Sequence, residues 1–133
     1  MDKTALVDRY VEDGRRLVEA LDRHNFPVTA AFWFYMPDSD EWRLLIASPV
    51  AEEKGPKGAY EDVQSVLSEL NPPLEMALSD VSAISPTHEL VRLLGQAIVT
   101  GPGISGIRFT RNTVNGVFIE DAYIYRLSLP VRR

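Results

Sequence analysis

An Asn-Gly dipeptide at positions 115 and 116, between two runs rich in β-branched and aromatic residues, constrains this chain more than any other sequence feature. A type I′ turn requires positive φ at both central residues, and Asn-Gly is the pair most often found there. The dipeptide therefore predicts a β-hairpin in which Val114 lies opposite Val117. The turn also assigns a register to both strands.

This register sorts the side chains of the hairpin into two ladders. The first is predicted to be mainly core and pairs Ile107 with Ile124, Phe109 with Ala122, Arg111 with Glu120 and Thr113 with Phe118. The second is rich in polar and aromatic groups and contains Arg108, Thr110, Asn112, Ile119, Asp121, Tyr123 and Tyr125.

The second ladder is the stronger candidate for a binding site. Arg108 beside Tyr123 or Tyr125 has the chemistry to hold an anionic or planar ligand by bidentate hydrogen bonds and cation–π contact. Thr110 and Asp121 complete the candidate set. The alternative is a solvent-facing sheet surface, on which each cross-strand pair contributes between a few tenths and about 1 kcal/mol.

A second candidate surface lies in the first half of the chain. Aromatic residues fill positions 28–36, and after a turn positions 42–48 form a second predicted strand. A hairpin centred on Ser39 would pair Met36 with Trp42 and leave both faces largely apolar. It would place Trp33, Tyr35 and Arg43 on one face, a combination enriched at protein interfaces, although aromatic residues on strands are more often buried under a helix.

The remaining segments predict an α+β fold. Apolar residues at helical spacing indicate helices over residues 3–24, 59–70 and 85–100, the last with Ser85 as its N-cap, and residues 74–84 indicate a further strand. Residues 49–58 are predicted to be an exposed connector, and Gly14 a close-packing point on the first helix. We expect a single domain over residues 1–133, with a mostly antiparallel sheet of four to five strands built from two hairpins and about three helices packed on it.

The charge of the chain is unevenly distributed. The net charge is -5. Residues 1–100 carry nine Lys and Arg against seventeen Asp and Glu, whereas residues 101–133 carry five Arg against two acidic residues. A surface that faces anions should therefore lie in the carboxy-terminal third. The overall sign disfavours nucleic acid as a partner, although the counts leave room for a local basic patch.

The sequence lacks the residues or spacings that several functional classes require. The chain has no cysteine, which removes thiol redox chemistry, thiolate nucleophiles and cysteine-based zinc sites. Segment 54–58 lacks phosphate-loop spacing, and segment 101–106 follows a predicted helix whose negative dipole end points toward it. Asp38 and Asp40 do not continue into a calcium loop. His24 and His88 have no second histidine at ligand spacing. No metal and no cofactor are predicted.

The function predicted from these observations is binding rather than catalysis. No apolar run approaches the roughly 20 residues of a membrane span and the start of the chain lacks a signal-peptide pattern, so we expect a cytoplasmic protein without membrane contact. The leading hypothesis is a small acidic interaction protein that binds a protein partner or itself, such as a regulatory or inhibitory partner. One alternative is an enzyme acting on a phosphorylated or nucleic-acid substrate through the carboxy-terminal hairpin, and another is a structural subunit of a homo-oligomer.

Overall fold

A computed structural model describes residues 6–128 and contains one five-stranded sheet with helices on both faces. The helices are α1 (Asp8–Arg23), α2 (Val50–Glu53), α3 (Gly55–Leu67) and α4 (Glu89–Gly95). The strands are β1 (Ala30–Met36), β2 (Glu41–Ala47), β3 (Val81–Ile84), β4 (Ile107–Val114) and β5 (Val117–Leu127). A short 3-10 helix, Leu78–Asp80, precedes β3.

The predicted α+β class is confirmed. The strand order is β3-β2-β1-β5-β4, and every neighbouring pair is antiparallel except β2 and β3. The β1–β2 and β4–β5 hairpins are joined by pairing between β1 and β5. The β2–β3 pair is parallel because the intervening chain passes through α2 and α3 before it returns to the sheet.

Each face of the sheet has its own core. One core lies under α1 and α3 and includes Leu17, Val18, Leu21, Val63 and Val66 from the helices, with Ala31, Trp33, Tyr35, Trp42, Leu44, Ile46 and Tyr125 from the strands. The other includes Val91 and Leu94 of α4, with Phe32, Phe34, Leu45, Ile119, Ala122 and Ile124. Covering on both sides explains why β1 is apolar in nearly every position instead of alternating.

The first hairpin differs from its predicted register by one residue. Met36 pairs with Glu41, and Tyr35 pairs with Trp42, so the loop holds four residues. Asp40, the last of them, has a φ of 51° and reverses the chain before β2. The prediction that centred the turn on Ser39 is therefore wrong, and every β2 side chain lies on the face opposite to the predicted one.

Three other segments also differ from prediction. The predicted connector 49–58 is helical, formed by α2 and the start of α3. The third strand is limited to Val81–Ile84. The last helix begins at Glu89, because the side chain of His88, and not that of Ser85, caps it by accepting a hydrogen bond from the backbone N–H of Leu90.

Within residues 6–128, no helix is long and apolar enough to cross a membrane.

Candidate functional site

The carboxy-terminal hairpin has the predicted register. Asn115 and Gly116 have φ values of 50° and 82°, and Val114 pairs with Val117. Toward the base of the hairpin, Arg108 pairs with Tyr123. These pairs confirm the register, because the turn residues determine it locally.

The ladder is interrupted at Arg111, which the sequence did not indicate. No pair joins Arg111 to Glu120, Arg111 has a φ of 45°, and the amide of Asn112 donates a hydrogen bond to the carbonyl oxygen of Thr110 across the interruption. Beyond this point the burial pattern changes. Ile119 is predicted to share the ladder of Arg108, yet it packs in the core that contains Ala122 and Ile124.

The two strands continue past the sheet as an arm, which we define as residues 110–121. β5 pairs with β1 only over residues 122–127, so among the strands within residues 6–128 only β4 pairs with the arm section of β5. Ile119 is buried, and Val114 is partly buried against the same core. By contrast, Phe118 is 58% exposed and Val117 48% exposed. The prediction that Thr113 and Phe118 belong to a mainly core ladder is therefore wrong.

Arg108 is held by an acidic partner. Its Nε and one Nη each donate a hydrogen bond of 2.7 Å to a different carboxylate oxygen of Asp121. The guanidinium carbon also lies 5.8 Å from the ring centroid of Trp42. The Arg108 side chain is 48% exposed, whereas that of Asp121 is 1% exposed. The hydrogen bonds that Arg108 donates to Asp121 raise the pKa of Arg108 above its ordinary value.

This arrangement differs from the ligand-binding geometry expected from the sequence. The aromatic neighbour of the Arg108 guanidinium is Trp42 of β2, which the predicted site did not include. The fork that would bind an external anion is directed at Asp121 instead. Thr110, opposite Asp121 in the ladder, is exposed. The structure thus brings Arg108, Thr110 and Asp121 together and adds Trp42.

Tyr125 and Trp33 join the sheet to α1. The indole N–H of Trp33 donates to the Tyr125 hydroxyl at 3.0 Å, and this hydroxyl donates to the Val11 carbonyl oxygen at 2.5 Å. Both aromatic side chains are almost fully buried, and burial raises the pKa of Tyr125. The predicted close packing at Gly14 is confirmed, because a Cβ at this residue would lie 2.2 Å from the Tyr125 hydroxyl oxygen.

Tyr123 lies between this buried network and the Arg108 pair. Its ring makes an edge contact with the ring of Tyr125 at a centroid distance of 5.3 Å. A Cβ at Gly106 would lie 2.5 Å from the Tyr123 hydroxyl oxygen, so a larger residue where the chain enters β4 would require the Tyr123 side chain to shift.

The first-hairpin candidates are separated by the corrected register. Trp33 and Tyr35 belong to the core under α1 and α3. Arg43 is the cross-strand partner of Phe34, and these two residues lie on the other face of the sheet. Their predicted common face is therefore wrong. Arg43 donates hydrogen bonds to the hydroxyl of Ser82 and to the carbonyl oxygen of Ser79, which connects β2 to the β3 edge of the sheet.

Tyr35 is directed toward the turn of its own hairpin. Its hydroxyl donates a 2.6 Å hydrogen bond to a carboxylate oxygen of Asp40. This bond raises the pKa of Tyr35 to about 12. The Tyr35 ring also lies 5.5 Å from the Trp42 ring, centroid to centroid, so the first hairpin ends in an aromatic pair beside the guanidinium of Arg108.

The described surface has several open clefts. One of about 580 Å³ follows α1 and is lined by charged side chains including Arg15, Arg16 and Arg23. Arg15 is hydrogen-bonded to Glu12 and Glu19, and Arg16 donates to the Pro72 carbonyl oxygen. The described residues contain no group of three or more acidic or histidine side chains placed to hold a metal ion.

No protein-family model, curated protein or solved structure matches the chain.

Proposed function

We propose that this protein acts by binding another protein without chemical turnover, in a regulatory or inhibitory role toward that partner. The observation that carries the proposal is the arm, which presents Phe118 and Val117 to solvent while Ile119 anchors it in the core. Large apolar side chains on an anchored, projecting element favour protein recognition, because their contact with a partner requires little further ordering of the chain.

The contacts of the other candidate residues support this choice. Tyr125 and Trp33 connect the sheet to α1, Arg43 connects two strands, and Arg108 binds Asp121. A catalytic site needs a nucleophile or base aimed at an open cavity that can take a substrate. An enzyme that uses Asp121 as its base would have to move Arg108 first. The geometry therefore favours binding over the alternative in which this hairpin carries out catalysis.

The proposal is tested by native mass spectrometry of the protein after gentle purification from its own cells. We expect a second protein at fixed stoichiometry, and mixing the two purified components should re-form a saturable complex. A complex made only of copies of this chain would favour the structural-subunit alternative. A bare chain that also turns over a phosphorylated or nucleic-acid substrate, with turnover lost in Asp121→Asn, would overturn the proposal.

A further inference from the structure

The turn residues of the arm, Asn115 and Gly116, are also a chemically reactive pair. The backbone nitrogen of the residue after an asparagine can attack the side-chain amide carbon, and this reaction is one reason why asparagine is a thermolabile residue. The attack is easiest where the next residue has no side chain and where nothing holds the reacting groups. Both residues are exposed, and among residues 6–128 nothing forms a hydrogen bond with the Asn115 amide or the Gly116 N–H. A Cβ at Gly116 would meet no atom within 4 Å, so the site is open.

Two other asparagines lie before a nitrogen that is blocked. Asn71 precedes Pro72, whose nitrogen carries no hydrogen and therefore cannot form the ring in this way. Asn25 precedes Phe26, whose backbone N–H donates a 2.9 Å hydrogen bond to the carbonyl oxygen of Leu21. The Phe26 side chain is also buried, so this nitrogen is held in place by the core.

The remaining candidates for the same ring closure are held by hydrogen bonds. Asn112 donates from its amide to the carbonyl oxygen of Thr110, and the β-branched Thr113 follows it. The Asp-Gly pair at Asp13 and Gly14 lies inside α1, and the buried Asp13 carboxylate accepts hydrogen bonds from two backbone N–H groups. Asn115 is therefore the asparagine that the structure leaves most open to this reaction.

The turn of the arm can open while the sheet stays closed. Its φ values of 50° and 82° define the closed turn, so ring closure requires these two residues to leave that conformation briefly. In the part of the chain that the structure describes, the arm section of β5 pairs with β4 and not with β1. A two-stranded ribbon is marginally stable by itself, and local opening costs less free energy than unfolding of the domain.

We propose that Asn115 is a site of spontaneous covalent modification, at which the chain deamidates with water as the only other reactant. The Gly116 nitrogen gives its proton to solvent and forms a bond to the amide carbon of Asn115, while the bond from this carbon to the amide nitrogen breaks. The leaving nitrogen takes up a proton and departs as ammonia. Water then adds to one of the two ring carbonyl groups and opens the ring. The inference goes beyond the proposed binding function and does not depend on it.

The two products have different consequences for the arm. Opening of the ring in one direction gives aspartate, which keeps the backbone, and Asp-Gly also suits a type I′ turn. Opening in the other direction gives isoaspartate, in which the backbone runs through the Cβ of residue 115 and the turn gains an extra atom. The pair between Val114 and Val117 depends on a two-residue turn, so isoaspartate should release the register of the arm.

The reaction is tested by incubating the full-length protein in water enriched in oxygen-18, at neutral and at mildly alkaline pH. Digestion with trypsin in ordinary water then gives the peptide of residues 112–126, in which fragmentation locates the label. Label should enter Asn115 at least about tenfold faster than Asn112, the internal control, because a hydrogen bond and a β-branched neighbour both slow ring closure at Asn112. The rate at Asn115 should rise with pH, because the attacking nitrogen must lose its proton.

The structural consequence is tested on the products, which anion exchange separates from the unmodified chain by their added carboxylate. By hydrogen exchange, the isoaspartate form should lose protection over residues 112–118 and keep it over residues 122–127. Freshly prepared Asn115→Asp is the matched control, because it adds the same charge and should keep wild-type protection throughout. Labelling of Asn115 no faster than Asn112, a rate independent of pH, or an isoaspartate form with wild-type protection would each overturn the inference. None of these results involves a binding partner, so the proposed function is tested separately.

Discussion

Replacing Gly14 by alanine sets two effects against each other. In a helix interior, alanine is more favourable than glycine by about 1 kcal/mol, so helix propensity alone predicts that Gly14→Ala stabilises the protein. The new Cβ, however, would lie 2.2 Å from the hydroxyl oxygen and 2.8 Å from the Cζ of Tyr125. Both distances are far inside the roughly 3.5 Å at which carbon atoms pack.

The ring of Tyr125 cannot move away without cost. Its hydroxyl is hydrogen-bonded to Trp33 and to the Val11 carbonyl, and the whole side chain is 1% exposed. Overpacking of this kind costs about 1–3 kcal/mol, and weakening the two hydrogen bonds adds up to about 1 kcal/mol each. After the gain in helix propensity is subtracted, we expect a net loss of about 2 kcal/mol. The melting midpoint should fall by roughly 8 °C for a chain of this length.

Urea denaturation followed by far-ultraviolet circular dichroism measures the difference. Gly101→Ala is the control, because a Cβ at Gly101 would meet no atom within 4 Å, and it should change stability by less than about 0.5 kcal/mol. Combining Gly14→Ala with Tyr125→Phe should give less than the sum of the single effects, because loss of the hydroxyl relieves part of the clash. A Gly14→Ala protein at least as stable as wild type, or strict additivity in the double variant, would refute this reasoning.

Two further predictions concern charged side chains. Arg108→Ala should lower the free energy of unfolding, measured by urea denaturation, by about 2 kcal/mol, because it removes a bidentate partner from the buried carboxylate of Asp121. The control Arg111→Ala should lower it by less than about 0.5 kcal/mol. Equal losses in the two variants would contradict this prediction. The pKa of His24 is raised by its hydrogen bond to a backbone carbonyl and by Glu69, so its stabilising effect should be complete below the ordinary histidine pKa of about 6.5 and decline as the pH rises above it. Denaturation curves should then show wild type losing stability over this range relative to His24→Gln, and parallel pH profiles for the two proteins would contradict the assignment.

The parts of the fold that the sequence predicts best are those specified by short-range chemistry. Asn115 and Gly116 determine the register of the second hairpin because few other residue pairs accept two consecutive positive φ values. The first turn has no such signature. Its four-residue loop depends on Asp40 adopting positive φ, which many turns of similar composition do not require. Because the observed register of this hairpin differs from the predicted one by one residue, Arg43 lies on the face of the sheet opposite to Trp33 and Tyr35.

The candidate site was predicted in part for the same reason. The pairing of Arg108 with Tyr123 and of Thr110 with Asp121 follows from the turn alone. The role of Trp42 depends on the order of strands in the sheet, which local patterns do not encode. The interruption at Arg111 has no sequence signal either, because arginine is not a residue that favours positive φ. Exposure of Phe118 follows from that interruption and from the end of pairing with β1.

The central position of β1 has a consequence for folding during synthesis. β1 can pair with β2 early in synthesis, because β2 follows it closely in the chain. Its other partner is β5, so Phe32 cannot pair with Ile124 until residue 124 has been synthesised. At roughly 5–20 residues per second, the ribosome needs on the order of 5–20 s to make the intervening chain. Throughout that interval the nascent hairpin has an open edge and apolar side chains without their final cover. This protein should therefore need chaperone protection until its last strand emerges, and it should fold slowly for its length because its central pairing is between distant residues.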